Sequence, residues 1–374
     1  MPHIVHICLG KANPNRQNGV SRIVHKMAQS GAEMEGITTE VIGLGRRADQ
    51  VENDPVKRLY TRHLLKADGR LPFLPGRFKQ SFAKIADQWP DSKTIIHFHG
   101  AIIPLYYRIA RQLVHRDLPW VVTAHGAYMP QVVSHKSWLK YPVIKIFDRL
   151  TVGRAQIFHG HSAQEVRSVQ SFFPDLPTFL TPNGVDLQMI DRYNSNYSLA
   201  DAGQFARSLG LEPDKGPVFC YIGRLATRHK GLDLMIDGFS DYKKAGGAGQ
   251  LWLIGSGQDR KALERRRDDC KATKSIHFLG PRFGHEKYHL LMAADLFIHT
   301  SRYEGMPMAV LEAAAAAKPL MVTPGTMMGN IITDHQCGWN ASENNAQAVK
   351  STFSQINNDI NKNQDILKVY GSNA

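Results

Sequence analysis

The sequence is poor in cysteine and has no long apolar run, and each absence excludes a class of protein. Its four cysteines are scattered and form no Cys-x-x-Cys pair, so neither a disulfide framework nor a cysteine zinc site is expected. No stretch approaches the roughly 20 uninterrupted apolar residues of a membrane-spanning helix. No repeat or low-complexity segment is present. With 374 residues, 43% hydrophobic and 21% charged, we expect a reduced, cytoplasmic, globular protein.

Acidic residues are scarce in the first half of the chain. Residues 1–185 carry 24 basic and 13 acidic side chains, whereas residues 186–374 carry 22 and 20, so most of the formal charge of +13 lies in the first half. This asymmetry indicates two bodies with different partners, and anionic lipid headgroups, a phosphorylated acceptor or nucleic acid would suit the basic one. No nucleic-acid-binding signature is present, so nucleic acid is not an expected partner. The stretch 134–147 mixes lysines with aromatic residues, which suits a membrane surface as well as a solvated helix with an ordinary core face.

Short apolar runs separated by helix-like stretches recur along the chain. They predict βαβ units that build parallel sheets. The run 181–186 and the polar stretch 193–216 interrupt the rhythm, so we expect two α/β domains, residues 1–185 and residues 186–374, with ligands bound in the cleft between them. The predicted strands are 4–9, 94–98, 120–123, 156–159 and 178–181 in the first domain, and 218–222, 250–254, 275–279, 296–300 and 320–323 in the second.

The most informative motif follows the predicted strand 296–300. Glu304 precedes an alanine-rich helix and Glu312 lies inside it, so two carboxylates could accept hydrogen bonds from sugar hydroxyls. Pro307 suits the first turn of that helix, where a missing N–H costs nothing. The amides near Met308 and Ala309 are then unpaired donors that suit a phosphate. The pattern alone fits a capped core helix with two solvated acids equally well.

Two cations follow the first strand of the second domain. Arg224 and Lys230 are six residues apart, and fixed positive charges there could neutralise a departing diphosphate without a metal. The sequence contains no Asp-x-Asp pair, so no metal is expected beside these cations.

The segment from Glu304 to Glu312 strongly resembles the E-x7-E motif of the GT-B-fold retaining glycosyltransferases of family 4. The resemblance covers nearly the whole chain and is most specific between 218 and 323. It implies two Rossmann-like domains that face each other across a cleft. It also implies that Glu304 approaches the donor sugar, that Glu312 binds the nucleotide ribose, and that Arg224 and Lys230 hold the phosphates.

The resemblance assigns further residues. It places His125, at the end of a buried strand, near the donor sugar, and it gives His99 one strand earlier a cleft position. The family typically has two adjacent glycines where this sequence has Asn18 and Gly19, at the start of the first helix. The remaining residues expected to bind substrate are Asn183, Gly255, Gly257 and Arg282.

Histidines are dense in the first domain, and a metal site is one possible reason. The paired histidines fall at predicted strand ends without Asp or Glu at ligand spacing, so we interpret them as lining a polar cleft. These histidines are His97, His99, His125, His159 and His161.

The resemblance implies a retaining, metal-independent hexosyltransferase with no cofactor. It would move a sugar from a UDP- or GDP-linked donor to a glycan or lipid-linked acceptor during cell-envelope or exopolysaccharide biosynthesis, in the cytoplasm or at the inner face of the cytoplasmic membrane. A non-catalytic sugar-nucleotide-binding subunit and a GT-B epimerase are the alternatives. The chain ends at Ala374, where related enzymes usually continue into a helix that returns to the first domain, so that helix is either naturally absent or cut off by truncation of the chain.

Overall fold

The computed structural model describes residues 1–10, 19–45, 50–52, 59–66, 76–90 and 93–374. They divide into two compact units, Met1–Pro182 (unit 1) and Asn183–Ala374 (unit 2), so the division falls at 182/183 rather than at the expected 185/186. Each unit contains one sheet of mainly parallel strands with helices between them. The predicted α/β class with two parallel sheets is therefore confirmed.

Unit 1 is built on a sheet with the strand order β3-β4-β2-β1-β5-β6-β7-β8. Neighbouring strands are parallel except β3 and β4 at one edge. Five of these strands match predicted runs, whereas β2, β3 and β4 were not predicted. The strands are β1 (His3–Leu9), β2 (Thr38–Gly45), β3 (Gln50–Glu52), β4 (Thr61–Lys66), β5 (Thr94–His99), β6 (Trp120–Thr123), β7 (Ile157–Gly160) and β8 (Thr178–Leu180).

One face of this sheet forms the main core of unit 1. Val5, Ile7, Ile96 and Phe98 alternate with polar residues along β1 and β5 and are fully buried against the helices. Pro142 lies inside α5, and a π-helical segment, Ile144–Asp148, follows it, as the missing proline N–H favours. The helices are α1 (Gly19–Glu33), α2 (Gly76–Ala86), α3 (Pro104–Val114), α4 (Pro130–Val133), α5 (Ser137–Val143), α6 (Arg149–Thr151) and α7 (Ala163–Gln170).

Unit 2 has a wholly parallel sheet with the order β11-β10-β9-β12-β13-β14. Its strands are continuous apolar runs because helices cover both faces. Five match predicted runs, and β14 was not predicted. The strands are β9 (Val218–Ile222), β10 (Gln250–Ile254), β11 (Ile276–Gly280), β12 (Leu296–His299), β13 (Leu320–Val322) and β14 (Gly338–Asn340).

Helix caps explain several boundaries in unit 2. Asp186 accepts a hydrogen bond from the Met189 amide, and Ser198 and Asp201 form a reciprocal capping box. A short 3-10 turn, Pro324–Thr326, follows β13. The helices are α8 (Leu187–Asn196), α9 (Leu199–Ser208), α10 (Thr227–Lys230), α11 (Leu232–Lys244), α12 (Arg260–Asp269), α13 (Gly284–Ala293), α14 (Met308–Ala315), α15 (Gly329–Asp334), α16 (Ala346–Lys362) and α17 (Ile366–Asn373).

The last helix, α17, contacts other parts of unit 2. The Tyr370 ring lies 4.8 Å from the ring of Trp339, and the Asn373 side chain donates to the Gln336 carbonyl at 3.1 Å.

Each sheet has a switch point, at which the order of adding strands reverses from one side of the sheet to the other. It lies between β9 and β12 in unit 2 and between β1 and β5 in unit 1. A crevice opens at such a switch point, beyond the carboxyl ends of the two strands, because the next connections leave toward opposite faces. Arg224 follows β9, Glu304 follows β12 and His99 ends β5, so the sheets place these predicted residues at the switch points. None of the helices in the described residues has the length and apolar character needed to cross a bilayer.

Candidate active site

Glu304 is the centre of a charged cluster at the switch point of unit 2. Its Oε1 accepts hydrogen bonds from Lys230 Nζ and from the Ser301 hydroxyl, the latter at 2.9 Å. The Nε2 atoms of His299 and His229 lie 3.4 Å and 3.5 Å from the same oxygen. Within the described ranges Oε2 has no hydrogen-bond partner. One carboxylate oxygen is therefore held in place and the other is left for a ligand hydroxyl.

Burial and charge act in opposite directions on Glu304. Burial raises the pKa of its carboxyl, but the Lys230 ammonium and the hydrogen bonds from His229 and His299 outweigh burial, and the pKa lies well below its ordinary value. Burial lowers the pKa of His299 to about 4, so this imidazole is neutral and donates its Nε2–H to the carboxylate. Glu304 is thus an anion at neutral pH.

The loops that carry Lys230 and Glu304 are fastened to each other. Arg302 grips Asp233 through two hydrogen bonds of 2.8 Å and 2.7 Å, and its backbone N–H donates to the His229 carbonyl at 2.9 Å. Gly231 has a φ of +60°, and a Cβ there would lie 2.1 Å from the Thr300 carbonyl oxygen. Only glycine fits at this position, which explains why it directly follows Lys230.

Arg224 lies beside this cluster and is exposed to solvent. Its guanidinium is 3.3 Å from Nδ1 of His229, and its carbonyl accepts from the buried Tyr221 hydroxyl at 3.0 Å. The loop after β10 packs on the Arg224 loop, because a Cβ on Gly257 would lie 2.1 Å from the Leu225 carbonyl oxygen. The structure therefore brings both predicted cations and the Gly255–Gly257 turn to the carboxyl ends of β9, β10 and β12.

Glu312 lies in α14 and forms a buried ion pair that the sequence did not reveal. Lys287 Nζ, on α13, donates to its Oε2 at 2.9 Å, and the side chains are only 10% and 8% exposed. The same ammonium lies 4.6 Å from the centre of the Tyr288 ring. The pair ties α13 to α14 and fixes the position of the Glu312 carboxylate.

The start of α14 offers amide donors. Pro307 is its N-cap residue rather than a member of the first turn, and its carbonyl accepts from the Val310 and Leu311 amides. Met308 and Ala309 are the first two helical residues, whose amides have no acceptor inside a helix. They can donate to an anion beyond the N-terminus of α14, and phosphate binding there stays a prediction.

The other predicted residues of unit 2 lie around this cluster. The Asn183 amide donates to the Met306 carbonyl at 3.3 Å, which places it next to the loop between Glu304 and α14. Arg282 lies after β11, two strands away from β9, where it donates to the Leu279 carbonyl at 3.1 Å and pairs with Glu286 at 3.3 Å. Arg282 therefore lies beyond the carboxyl end of β11, at the edge of the sheet.

In unit 1 the predicted residues lie at two places. Gly19 is the first residue of α1, whereas Asn18 lies outside the described residues. His99 ends β5, and His125 follows β6 with a φ of +52°, a left-handed conformation that is uncommon for a non-glycine residue and is often found at functional sites. The next amide, of Gly126, donates to Glu165 at 2.6 Å and holds the turn.

One face of the unit 1 sheet carries a hydrogen-bonded row of imidazoles. His6 Nδ1 lies 3.0 Å from His99 Nε2, His99 Nδ1 lies 3.1 Å from His125 Nε2, and His125 Nδ1 lies 3.3 Å from His161 Nε2. The row ends on the Thr181 carbonyl, 3.3 Å from His161 Nδ1. Because a carbonyl only accepts, His161 carries its proton on Nδ1, and each preceding imidazole then donates through Nδ1. Both ring nitrogens of His125 are used inside this row.

A shorter row runs beside it. Nε2 of His97 lies 2.7 Å from the Thr123 hydroxyl, which lies 3.0 Å from Nδ1 of His159. Burial, with a further contribution from neighbouring imidazoles, lowers the pKa of His97, His99 and His125 well below the ordinary value. The histidine face of unit 1 is therefore neutral at pH 7, unlike the cluster around Glu304.

Sequence reasoning missed the side chains that hold the charged cluster together. His299 and Ser301 could have been found from their place at the end of β12, directly before the Glu304 motif. No sequence signal pointed to Lys287, because a lysine on a helix is usually solvated. The missed residues are His229, Asp233, Lys287, His299, Ser301 and Arg302.

Two family profiles match the chain, and together they cover most of it. The profile described as Glycosyltransferase Family 4 matches residues 17–189, and the profile described as Glycosyl transferases group 1 matches residues 205–370. The boundary between the two matches lies close to the division between the units.

Known proteins resemble the chain along most of its length. It is 26% identical over 326 residues to a protein described as glycosyltransferase EpsF of Bacillus subtilis, covering 81% of this chain and 79% of that protein. It is also 26% identical over 237 residues to the UDP-Gal:alpha-D-GlcNAc-diphosphoundecaprenol alpha-1,3-galactosyltransferase of Escherichia coli, covering 61% of this chain and 57% of the relative.

Solved structures share the fold at low sequence identity. Sucrose-phosphate synthase from Thermosynechococcus elongatus superposes with a TM-score of 0.79 at 19% identity, covering 100% of this chain and 93% of the other. HepE from Anabaena, solved in complex with UDP and glucose, superposes with a TM-score of 0.73 at 16% identity, covering 99% and 92%. At these identities the likeness concerns the fold alone.

Proposed function

Because this chain belongs to the GT-B-fold glycosyltransferases of family 4 (glycosyl transferases group 1), we propose that it transfers a sugar from a nucleoside-diphosphate sugar with retention of anomeric configuration. The observation that carries the proposal is the cluster of Lys230, Arg224 and Glu304 at the switch point of unit 2. UDP and glucose bound to the structural relative HepE support a nucleotide-sugar donor.

Binding of a diphosphate would change the partner of Lys230. In the structure its ammonium pairs with Glu304, and a phosphate beside Arg224 would compete for the same ammonium. Glu304 keeps donors from Ser301 and His299 after that exchange, so it stays ionised and can accept from a sugar hydroxyl. The two cations then face the bridge to the sugar, where negative charge develops.

The proposed step is a same-face displacement. The bond between the anomeric carbon and the diphosphate oxygen breaks with its electron pair leaving on the diphosphate, and the acceptor hydroxyl oxygen bonds to the anomeric carbon on the same face. The acceptor proton passes to the departing phosphate oxygen. Arg224 and Lys230 stabilise the released nucleoside diphosphate, so the donor site needs no metal and no cofactor.

Glu312 and the start of α14 would hold the rest of the nucleotide. We propose that the Glu312 carboxylate, fixed by Lys287, accepts from the ribose hydroxyls, and that the Met308 and Ala309 amides donate to a phosphate. Gly257 allows the loop after β10 to pack closely on the loop that carries Arg224. Arg282, beyond the end of β11, would face the base.

A donor screen tests this function. Purified protein is incubated with UDP-, GDP- and ADP-linked sugars, with and without a diphosphoundecaprenol-linked acceptor, and release of nucleoside diphosphate is measured. We expect release with one donor class, an unchanged rate when magnesium or manganese is added, and a product whose anomeric proton has the donor's configuration by NMR. Nucleotide binding without any release would favour a non-catalytic subunit instead.

We propose a lipid-linked acceptor in cell-envelope or exopolysaccharide assembly, reached from the cytoplasmic face of the membrane. The support is the acceptor in the name of the galactosyltransferase relative and the segment 136–146 of unit 1. In this segment Trp138 is 74% exposed and Ile146 is 61% exposed, and Leu139 and Tyr141 are also exposed. Large apolar side chains in such a group beside lysines suit an anionic lipid surface.

Vesicle binding tests the acceptor proposal separately from the chemistry. We expect the protein to bind vesicles that contain anionic lipid and to release them as salt rises, because exposed charges are screened over about 8–10 Å at 0.1–0.15 M. Replacing Lys136, Lys140 and Lys145 with glutamate should nearly abolish binding, since each lysine contributes roughly 1 kcal/mol. Donor hydrolysis should be unchanged in this variant. Binding that is absent at low salt, or that survives the triple change, would favour a soluble acceptor.

A further inference from the structure

The histidine face of unit 1 contains three imidazoles whose nitrogen atoms converge. His6 lies on β1, and His97 and His99 lie on the neighbouring strand β5. The parallel register pairs His6 with His97, and His99 lies two residues further on the same face. The His-x-His pair has no Asp or Glu at ligand spacing in the sequence, and the fold supplies His6 as a further ligand from a strand that is distant in sequence but adjacent in the sheet.

The spacing of the three side chains fits one small cation. One nitrogen atom from each residue lies within 4.8 Å of the other two. Ligands at the usual zinc–nitrogen distance of about 2.0–2.1 Å in a tetrahedron are ~3.4 Å apart, and the ring centres are then ~5 Å apart. The ring centres of His6 are 5.3 Å from His97 and 5.2 Å from His99, and those of His97 and His99 are 4.1 Å apart. Small side-chain rotations would complete the geometry.

The outer hydrogen bonds fit a metal site as well. A histidine that binds a metal through one nitrogen usually donates the other N–H to a neighbour. Nε2 of His97 lies 2.7 Å from the Thr123 hydroxyl, which leaves its Nδ1 for a metal. Nδ1 of His99 lies 3.1 Å from His125, which leaves its Nε2. That Nε2 now lies 3.0 Å from His6 Nδ1, so a proton occupies the place where a cation would sit.

We propose that His6, His97 and His99 bind one divalent transition-metal ion of the zinc type, which links β1 to β5 beside the switch point of unit 1. Three neutral imidazoles without a carboxylate suit zinc, cobalt, nickel or copper and do not suit magnesium or calcium. The ion replaces the proton shared by His6 and His99, and His6 then carries its proton on Nε2. Three protein ligands leave one tetrahedral position open. The site is separate from the charged cluster of unit 2 and its role is to hold the two strands together.

Cobalt spectroscopy and metal analysis test the site on the full chain, purified without a histidine tag. We expect one zinc or cobalt ion per chain, visible ligand-field bands of tetrahedral cobalt, and an unfolding temperature raised by several degrees when zinc is added. The variants His6→Gln and His97→Gln should lose the bands, whereas His115→Gln, which changes an exposed histidine of the same unit, should keep them.

Metal content, cobalt spectra and unfolding temperature can all be measured without assaying sugar transfer. Circular dichroism and nucleotide binding by unit 2 show whether each variant is folded, and the wild-type measurement needs no variant at all. Substoichiometric cobalt without ligand-field bands in the wild-type protein would overturn the proposal, and so would bands that persist in folded His97→Gln protein. Magnesium should give no shift in unfolding temperature.

Discussion

The switch points of the two units share a topology, but one carries charged side chains and the other carries neutral ones. In unit 2, Lys230 forms an ion pair with Glu304. A second ion pair joins Lys287 on α13 to Glu312 on α14. In unit 1, the corresponding strand ends carry neutral imidazoles that hydrogen-bond to one another. The comparison teaches that the doubly wound sheet supplies the location, whereas the residues at the strand ends decide whether charge or lone pairs are offered there.

The pKa values of one carboxyl group in each unit show the same contrast. In unit 2, Glu304 is surrounded by donors and a cation, and its pKa lies well below the ordinary value. In unit 1, burial raises the pKa of Asp148 to about 6, although Tyr128, the Ile102 amide and Thr151 donate to it. Burial therefore dominates at Asp148, and within the described residues no ion pair brings a cation to its carboxylate.

The largest expected effect follows from removing a cation of unit 2. Arg224→Ala and Lys230→Ala should each lower kcat by ~10²–10³-fold, the usual scale for losing one preorganised donor to developing charge. Steady-state release of nucleoside diphosphate measures it. Lys244→Ala, which removes an exposed lysine of the same unit, is the matched control and should behave as wild type. Full turnover in both variants would remove the leaving-group assignment.

The next effect concerns Asp148, a buried acid of unit 1. Because the folded-state pKa of Asp148 lies above its ordinary value of 3.8, the folded state binds the proton more tightly, and stability falls as pH rises from about 4 through about 6. Asp148→Asn keeps the shape without the charge. Relative to wild type, the variant should gain on the order of 3 kcal/mol between about pH 4 and about pH 7, measured by urea unfolding.

For Glu304 we expect the opposite dependence of stability on pH, measured by the same urea unfolding. Its folded-state pKa lies below the ordinary 4.5, so its contribution to stability is present above about pH 4.5 and is lost as pH falls toward the folded-state pKa. Glu304→Gln should therefore show its largest loss of stability near neutral pH and approach wild type in acid. Parallel pH profiles for the two variants would contradict the contrast between the units.

A smaller effect separates the two carboxylates of the motif. Glu312→Gln should weaken binding of free nucleoside diphosphate by about 10-fold or more, the scale of one hydrogen bond to a charged group, because ribose is present in donor and product alike. Glu304→Gln should not weaken that binding, because it releases Lys230 for the phosphates, and it should lower turnover of the sugar donor. Calorimetry with nucleoside diphosphate measures the first and product release the second. Equal losses of affinity would show that the roles are not divided.

Much of the fold could be predicted from the sequence, because buried parallel strands are short apolar runs that end in turn residues. Ten predicted runs became strands, and the motif around Glu304 was located correctly after β12. The strand β2 was not predicted because Glu40 and Gly43 interrupt its apolar pattern. The strand β14 was not predicted because it is only three residues long. Pairing in the sheet specifies both strands: β2 lies between β1 and β4, and β14 pairs with β13 at the edge.

The partners of the site residues could not be predicted in the same way. Lys287 precedes Glu312 by 25 residues and His6 precedes His99 by 93, so these contacts depend on tertiary packing and strand register. Pro307 was expected inside the first turn and is the N-cap instead, because helix boundaries are set by backbone geometry that composition specifies only within a residue or two.

The central claim is that the cations of unit 2 recognise the terminal phosphate that leaves with the nucleotide. Its most direct test compares, by calorimetry, the affinities for the nucleoside diphosphate and the nucleoside monophosphate in wild type and in Arg224→Gln. Arg224 is exposed, so its replacement leaves no buried charge unpaired. We expect wild type to prefer the diphosphate by about 10–100-fold, the scale of one charge-assisted hydrogen bond, and the variant to lose most of that preference. An equal preference in both proteins would contradict the account.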